Sequence, residues 1–328
     1  MLNRRAVLSA LSVVGLCPRF ARAQTTALPK IGWLEFNAGG MYSEITGRGF
    51  IKGLAEAGYV EGKNVLFERR SAQGDLRLLR PLARELAAAK VDLIFAPAKP
   101  MADAAWSASR RIPTVIATVT DPVTLEYAVS LRRPGKHITG VTTANAELIG
   151  KRLQLLTEIV PGTRRVGTFI DQELLASCVE EMNLMEKAAT QLGLTIIRIP
   201  VTFASLDLEA AMKRALAAKV QAVITAPMTS NHDATDQIAA ITAKYRLPFM
   251  HDVPQLAGQS LAVYGPDFED IFRRAGHYAA RILKGEKPEV MPIEEPREFK
   301  LIINLKVAKS LGLVVPGAAL LRANEVIE

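Results

Sequence analysis

Lys90-Val91-Asp92-Leu93-Ile94-Phe95-Ala96-Pro97 returns later in the chain as Lys219-Val220-Gln221-Ala222-Val223-Ile224-Thr225-Ala226-Pro227. One helix after each copy comes a basic residue, an apolar residue and a proline leading into another strand. These are Arg111-Ile112-Pro113-Thr114-Val115-Ile116 in the first copy and Arg246-Leu247-Pro248-Phe249-Met250 in the second. Each copy therefore spells strand, Ala-Pro loop, helix, strand. The shared order and punctuation mark two lobes of similar structure. Within the strands there is little apolar–polar alternation, as expected of a parallel sheet covered by helices on both faces.

Outward from these copies the same rhythm fills the chain. Strands are predicted at 30–35, 64–69, 91–96, 114–118, 138–142, 165–170, 194–200, 220–225, 247–250 and 260–264. Helices are predicted at 42–57, 77–89, 101–110, 146–159, 174–191, 205–218, 233–245 and 268–284. Ala57-Gly58 and Leu192-Gly193 each close a helix with a glycine suited to the left-handed cap position. Strand–helix alternation of this kind builds doubly wound βαβ units. The fold class is α/β: two similar doubly wound parallel-sheet lobes joined by a hinge. A length of 328 residues exceeds what one core usually organises, and no low-complexity linker separates the halves.

The N-terminus reads as an export signal. Met1 to Ala23 carries no acid, Arg4 and Arg5 form a positive end, and Ala6 to Leu16 is a largely apolar segment of eleven residues. Ala21-Arg22-Ala23 then supplies the small-x-small cleavage pattern, so residues 1–23 are a signal peptide removed after Ala23. Eleven residues are too few to cross a bilayer of about 30 Å as a helix. The Arg4-Arg5 pair leaves both the general secretory and the twin-arginine routes open. Cleavage takes away four arginines and no acids, reducing the net charge from +8 (41 basic, 33 acidic) to +4 (37 minus 33). Spread over about 305 residues (328 minus 23), that charge leaves no nucleic-acid footprint. Only Cys178 survives cleavage, which excludes an internal disulfide and makes it a small core residue.

In open parallel sheets ligands sit beyond the carboxyl ends of strands, where helix N-termini favour anionic or carbonyl oxygens. The loops in that position are Glu35-Phe36-Asn37, Ala98-Lys99-Pro100-Met101 and Thr120-Asp121-Pro122 in the first lobe. In the second they are Asp171-Gln172-Glu173, Met228-Thr229-Ser230-Asn231 and His251-Asp252. Their mix of acids, amides, hydroxyls and a few apolar groups suits a small polar ligand. The candidate contacts are Glu35, Asn37, Lys99, Pro100, Thr120, Asp121, Asp171, Met228 and His251. No Gly-x-Ser-x-Gly elbow or His-Glu-x-x-His pair is present. Gly58 to Asn64 falls one residue short of a phosphate loop and precedes its strand instead of following it. No catalytic residue, metal site or cofactor is expected. A cleft enzyme using His251, beside Asp252, is the one catalytic alternative.

Gly53-Leu54-Ala55-Glu56-Ala57-Gly58-Tyr59-Val60-Glu61-Gly62-Lys63-Asn64-Val65 resembles a signature of ABC-transporter substrate-binding proteins, a family that includes tryptophan- and tyrosine-type uptake proteins. Asp121-Pro122-Val123, Leu131 to Gly135, Ile138 to Val141, Lys151 to Leu156, Arg281 to Pro288 and Ile302 to Leu313 are similar to further motifs of that family. The resemblance implies a type I periplasmic-binding fold with three strand crossings: near 139–146, near 264–267 and between 290 and 299. It divides the chain into residues 24–140 plus 266–292 and residues 141–265 plus 293–328, and adds Asn145 and Tyr264, at crossings, to the candidate contacts. It further implies a monomeric periplasmic protein that captures a small ligand by hinge closure and delivers it to membrane permease subunits. A sensor presenting its cleft to a membrane receptor shares the same fold and pocket. Two loops depart from the family: Asp171-Gln172-Glu173-Leu174 replaces an Asn-Pro-Asn-like turn, and Pro97-Ala98-Lys99-Pro100-Met101 replaces a Gly/Ser/Thr-rich one. Lys99 offers a charge where relatives offer backbone donors, so both amino acids and aromatic or other small carboxylates stand as ligands.

Overall fold

The computed structural model describes residues 27–143, 145–202, 207–226 and 228–328. The export signal and its cleavage point therefore lie outside the described residues, as does Pro227 of the second repeat copy.

In the first lobe the order is β1 (Lys30–Glu35), α1 (Met41–Glu56), β2 (Leu66–Ser71), α2 (Leu76–Ala88), β3 (Leu93–Phe95), α3 (Lys99–Ala108), β4 (Thr114–Val119) and β5 (Ile138–Thr142). The second opens with α4 (Asn145–Ile159), β6 (Arg165–Asp171), α5 (Val179–Gln191), β7 (Thr195–Val201), α6 (Leu208–Ala217) and β8 (Ala222–Ile224). It continues through α7 (Thr229–Asp233), α8 (Thr235–Lys244), β9 (Phe249–His251) and β10 (Ala262–Pro266). Then follow α9 (Phe268–Leu283), β11 (Phe299–Asn304), α10 (Leu305–Leu311), α11 (Gly317–Leu320) and β12 (Glu325–Ile327).

Among the described residues these strands form two sheets. One has the order β2-β1-β3-β4-β5, the other β12-β11-β10-β9-β8-β6-β7. Every pairing is parallel except β10 with β11. The two-lobed α/β expectation holds. β11 and β12 extend the second sheet beyond the strands read from the sequence, although Leu301-Ile302-Ile303 is as apolar a run as any of those. β12 is a mostly exposed edge of three residues, too short for its Val326-Ile327 pair to stand out as a strand.

Residues of one strand alternate between two cores. Ile31 and Trp33 pack with Phe50, Phe95 and Phe272, while Leu34 packs with Leu79, Leu86 and Ile94 on the opposite face. α1 and α9 cover the first of these faces and touch backbone to backbone. A Cβ on Gly53 would lie 1.9 Å from the Arg273 carbonyl oxygen, and one on Gly276 would lie 2.3 Å from that of Phe50. α9 is built for its place by an Asp267 cap accepting from the Asp270 amide at 3.1 Å, acids in its first turn and Arg281 in its last. It packs on the first sheet although it follows β10 of the second. The chain passes between the sheets at β5–α4, at β10–α9 and before β11.

The repeat also has a backbone meaning. Lys90, Lys219 and Arg246 have φ of 53, 58 and 56°, the left-handed conformation that turns a helix end into the next strand. Basic residues thus stand where glycine is usual.

Candidate functional site

The carboxyl ends of both sheets face each other across a cleft, which two bridging contacts divide into halves. Tyr42 at the start of α1 lays its ring on His232 of α7, with centroids 4.8 Å apart. Asn37 donates from Nδ2 to Asp233 Oδ2 at 3.5 Å. The Asp233 carboxylate also reaches the N-terminus of α1, where the Tyr42 amide stabilises its charge. Gly40 makes this approach possible, since a Cβ there would fall 2.3 Å from Asp233 Oδ1. An acid of the second lobe therefore lies against the N-terminus of a helix of the first. Burial pushes the Asp233 carboxyl up to about 6, opposed by His232, Asn37 and the Tyr42 amide.

On the β5 side of this bridge lies a cavity of about 40 Å³. Lys99, Pro100, Thr118, Thr120 and Thr143 line it from the first lobe and the β5 crossing; Glu181, Thr229 and His232 line it from the second; Phe268 lines it from α9. The Tyr42 hydroxyl donates to Thr118 Oγ1 at 3.3 Å, and Thr118 donates to the Pro97 carbonyl at 2.8 Å. Lys99 Nζ is 2.9 Å from Asp103 Oδ2, and Asp103 also accepts from the Tyr127 hydroxyl. Glu181 is buried in the first turn of α5, and its Oε2 has no hydrogen-bond partner. Burial raises its carboxyl above the ordinary range, against the pull of its own backbone amide, Lys99 and Thr120. On the β2 side a more open cavity of about 370 Å³ is lined by Asn37, Asp75, Arg77, Asp171, Glu173 and Asp233, among others.

Beneath the bridge lies a buried ionic triad. Arg152 Nη1 is 2.8 Å from Asp252 Oδ2, and His232 Nε2 is 3.0 Å from Asp252 Oδ1. Burial favours the neutral form of Asp252, but His232 and Arg152 outweigh it and hold the carboxyl below the usual carboxylate range. The triad fixes the His232 ring against Tyr42, and so the second-lobe half of the bridge.

The candidate residues distribute as follows. Lys99, Pro100 and Thr120 come together in the smaller cavity, and Asn37 and Asp171 line the larger one. Glu35 is half-buried within the first lobe, accepting from Ser43 at 3.4 Å. Asp121 organises its own turn, accepting from the amides of Val123 and Thr124 at 3.1 and 3.0 Å. Met228 is buried in the core, and Tyr264 packs on Phe299 with centroids 6.2 Å apart. His251 is fully buried; Nε2 meets the Leu256 carbonyl at 2.9 Å and Nδ1 accepts from the Val253 amide at 3.2 Å. Neither nitrogen is available to a substrate, which leaves the catalytic alternative without a base. Asn145 opens α4, but its side chain lies outside the described residues. Cys178 is buried at the N-terminal end of α5 and also borders the cavity.

Tyr42, Thr143, Glu181, His232, Asp233 and Phe268 were not among the candidates. Most lie in the first turn of helices, just past the loops that strand-end reasoning singles out. Among the described residues no group of His, Cys, Asp and Glu could hold a metal ion, and no helix is long and apolar enough to cross a membrane.

The family model described as ABC transporter substrate binding protein matches residues 38–327. A tyrosine-binding protein of Clostridioides difficile (strain R20291) is 25% identical over 267 residues, which is 81% of this chain and 76% of that protein. The crystal structure of a conserved domain protein from Vibrio cholerae superposes with a TM-score of 0.82 at 25% identity, covering 92% of this chain and 100% of its own. That of an ABC domain from Streptococcus pneumoniae, in complex with L-Trp, gives 0.80 at 24% identity with the same coverage.

Proposed function

The chain belongs to the ABC transporter substrate-binding protein family, and we propose that it captures a small amino acid or aromatic acid for uptake by closing its two lobes on it. The observation that carries this reading is the smaller cavity. It joins a cation, a buried acid and several hydroxyls to the rings of Tyr42, His232 and Phe268, drawn from both lobes. Ligand contacts to both sides stabilise the closed arrangement, and differential affinity for the two arrangements drives the switch. The relative named for tyrosine and the neighbour holding L-Trp favour an aromatic amino acid.

In this reading residues 1–23 direct export to the periplasm and are removed after Ala23. The lobes are residues 24–140 with 266–292 and residues 141–265 with 293–328, and the closed monomer docks on membrane permease subunits. Lys99, Pro100, Thr120 and Asn37 contact the ligand or gate its entry.

A thermal-shift panel of amino acids, aromatic acids and dicarboxylates tests the proposal. A true ligand at about 100-fold over its dissociation constant adds about 2.7 kcal/mol to stability. L-tryptophan or L-tyrosine should raise the melting temperature. A panel that leaves it unmoved removes the reading.

A further inference from the structure

We infer that Asp267 is the pin of the hinge: its carboxylate holds the start of a first-lobe helix to two donors of the second lobe and favours the closed arrangement without touching the ligand. The ligand arm of its test rests on the uptake reading above; the pin itself does not.

Two of the chain's crossings between the sheets run side by side, and each is fastened close to its turning point. On the second-lobe side Pro266 of β10 still pairs with Phe299 of β11. Gly265 is pressed onto the next strand end, where a Cβ would lie 1.8 Å from the Asp252 carbonyl oxygen. On the first-lobe side Glu294 is fastened to the end of β5. Its carbonyl accepts from the Thr142 amide at 2.8 Å, and its amide donates to the Gly140 carbonyl at 3.0 Å. Arg274 of α9 donates to the Glu294 carboxylate and, at 3.3 Å, to the Glu295 carbonyl. Between these fastenings lie Asp267 on one crossing and Pro296-Arg297-Glu298 on the other.

The Asp267 side chain spans that point. Oδ1 accepts from the Asp270 amide at 3.1 Å, which ties the carboxylate to α9. The same oxygen accepts from Gln255 Nε2 at 2.6 Å, and Oδ2 accepts from Lys300 Nζ at 3.2 Å. Gln255 belongs to the short tight helix Pro254–Gln259 after β9, and Lys300 to β11. Burial favours the neutral acid, but the Asp270 amide, Lys300 and Gln255 outweigh it and hold the carboxyl below its ordinary range. Bonds to a charged acceptor are the stronger kind. The Gln255 Oε1 is buried without a partner, so the bond to Asp267 is what fixes that amide. Because the cap moves with α9, a rotation at Asp267 carries the carboxylate away from Gln255 and Lys300. Both bonds are present while Tyr42 meets His232 and Asn37 meets Asp233, so they belong to the closed arrangement.

The test is the mature chain carrying Gln255→Leu with Lys300→Met, which removes both second-lobe donors and leaves the helix cap in place. Lys306→Met, at an exposed lysine of α10, is the charge-matched control. Small-angle scattering of the ligand-free double variant should give a larger radius of gyration than the parent or the control. With L-tryptophan or L-tyrosine bound the radius should return to the parent value, while the ligand dissociates about tenfold faster. A ligand-free radius equal to the parent's overturns the pin, whatever the ligand result. If neither amino acid binds, the uptake reading for this ligand class falls and the scattering still decides the pin. If the double variant folds poorly, Lys300→Met alone decides. Its radius should exceed the parent's at about 0.01 M salt and match it at about 1 M, where the ion pair is screened; equal radii at low salt overturn the pin.

Discussion

His137 shows how a single buried side chain sets pH behaviour. It stacks on Trp106 with centroids 4.7 Å apart and an angle of 7° between the rings. Burial, assisted by Arg110 and Lys136, pushes its pKa down from 6.5 to about 4. Between those values the unfolded chain binds a proton that the native chain refuses, so stability falls as pH drops through that window. The shift corresponds to about 3 kcal/mol. His137→Phe, which keeps a stacking ring, should therefore gain about that much relative to the parent between pH 6.5 and 4, read by urea unfolding at each pH. This residue scale was the least legible in the sequence. Lys99, Pro100 and Thr120 were found because they stand in strand-end loops. Glu181 and His232 gain their importance from burial and from partners distant in the chain, and spacing carries no record of either. His251, at a strand end beside an acid, had the right position and the wrong accessibility.

Elements were far more legible, because hydrophobic runs and helix punctuation are local. The predicted strands lie within two residues of the observed ones at nearly every boundary. The predicted helix at 174–191 is shorter in the structure, with α5 starting at Val179 after a three-residue turn of tight helix at Leu175–Ser177. The predicted helix at 233–245 is α8, and the five-residue α7 before it forms mostly from residues read as the loop after β8. The packing of α1 on α9 is written in glycines whose role appears only when the two helices meet. Gly276→Ala would press a methyl against the Phe50 carbonyl and should cost about 1–3 kcal/mol as overpacking, after the small gain in helix propensity. Gly47→Ala, in α1 but 3.7 Å from the nearest atom of Trp33, should instead be neutral or gain up to about 1 kcal/mol. Parallel thermal melts of the two variants separate close helix approach from helix propensity.

At the scale of the molecule, the doubled architecture was legible from the repeat, whereas the meeting of the lobes was not. Asp233 is held up at about 6 while it is buried against the start of α1. Were the lobes to part, water would return it toward its ordinary 3.8. Closure therefore takes up a proton between those values, and acid favours the compact form. Small-angle scattering of the ligand-free protein should give a smaller radius of gyration at pH 5 than at pH 7.5, and Asp233→Asn should shrink the difference, leaving only the part due to Glu181, whose carboxyl burial also raises. The cavity of about 40 Å³ on the β5 side has a consequence in time as well as space. It has room for a few water molecules and for no amino acid, so no ligand can reach its seat without the lobes first separating. In stopped-flow mixing, the observed association rate should climb with ligand concentration and then level off at the rate at which the empty protein opens.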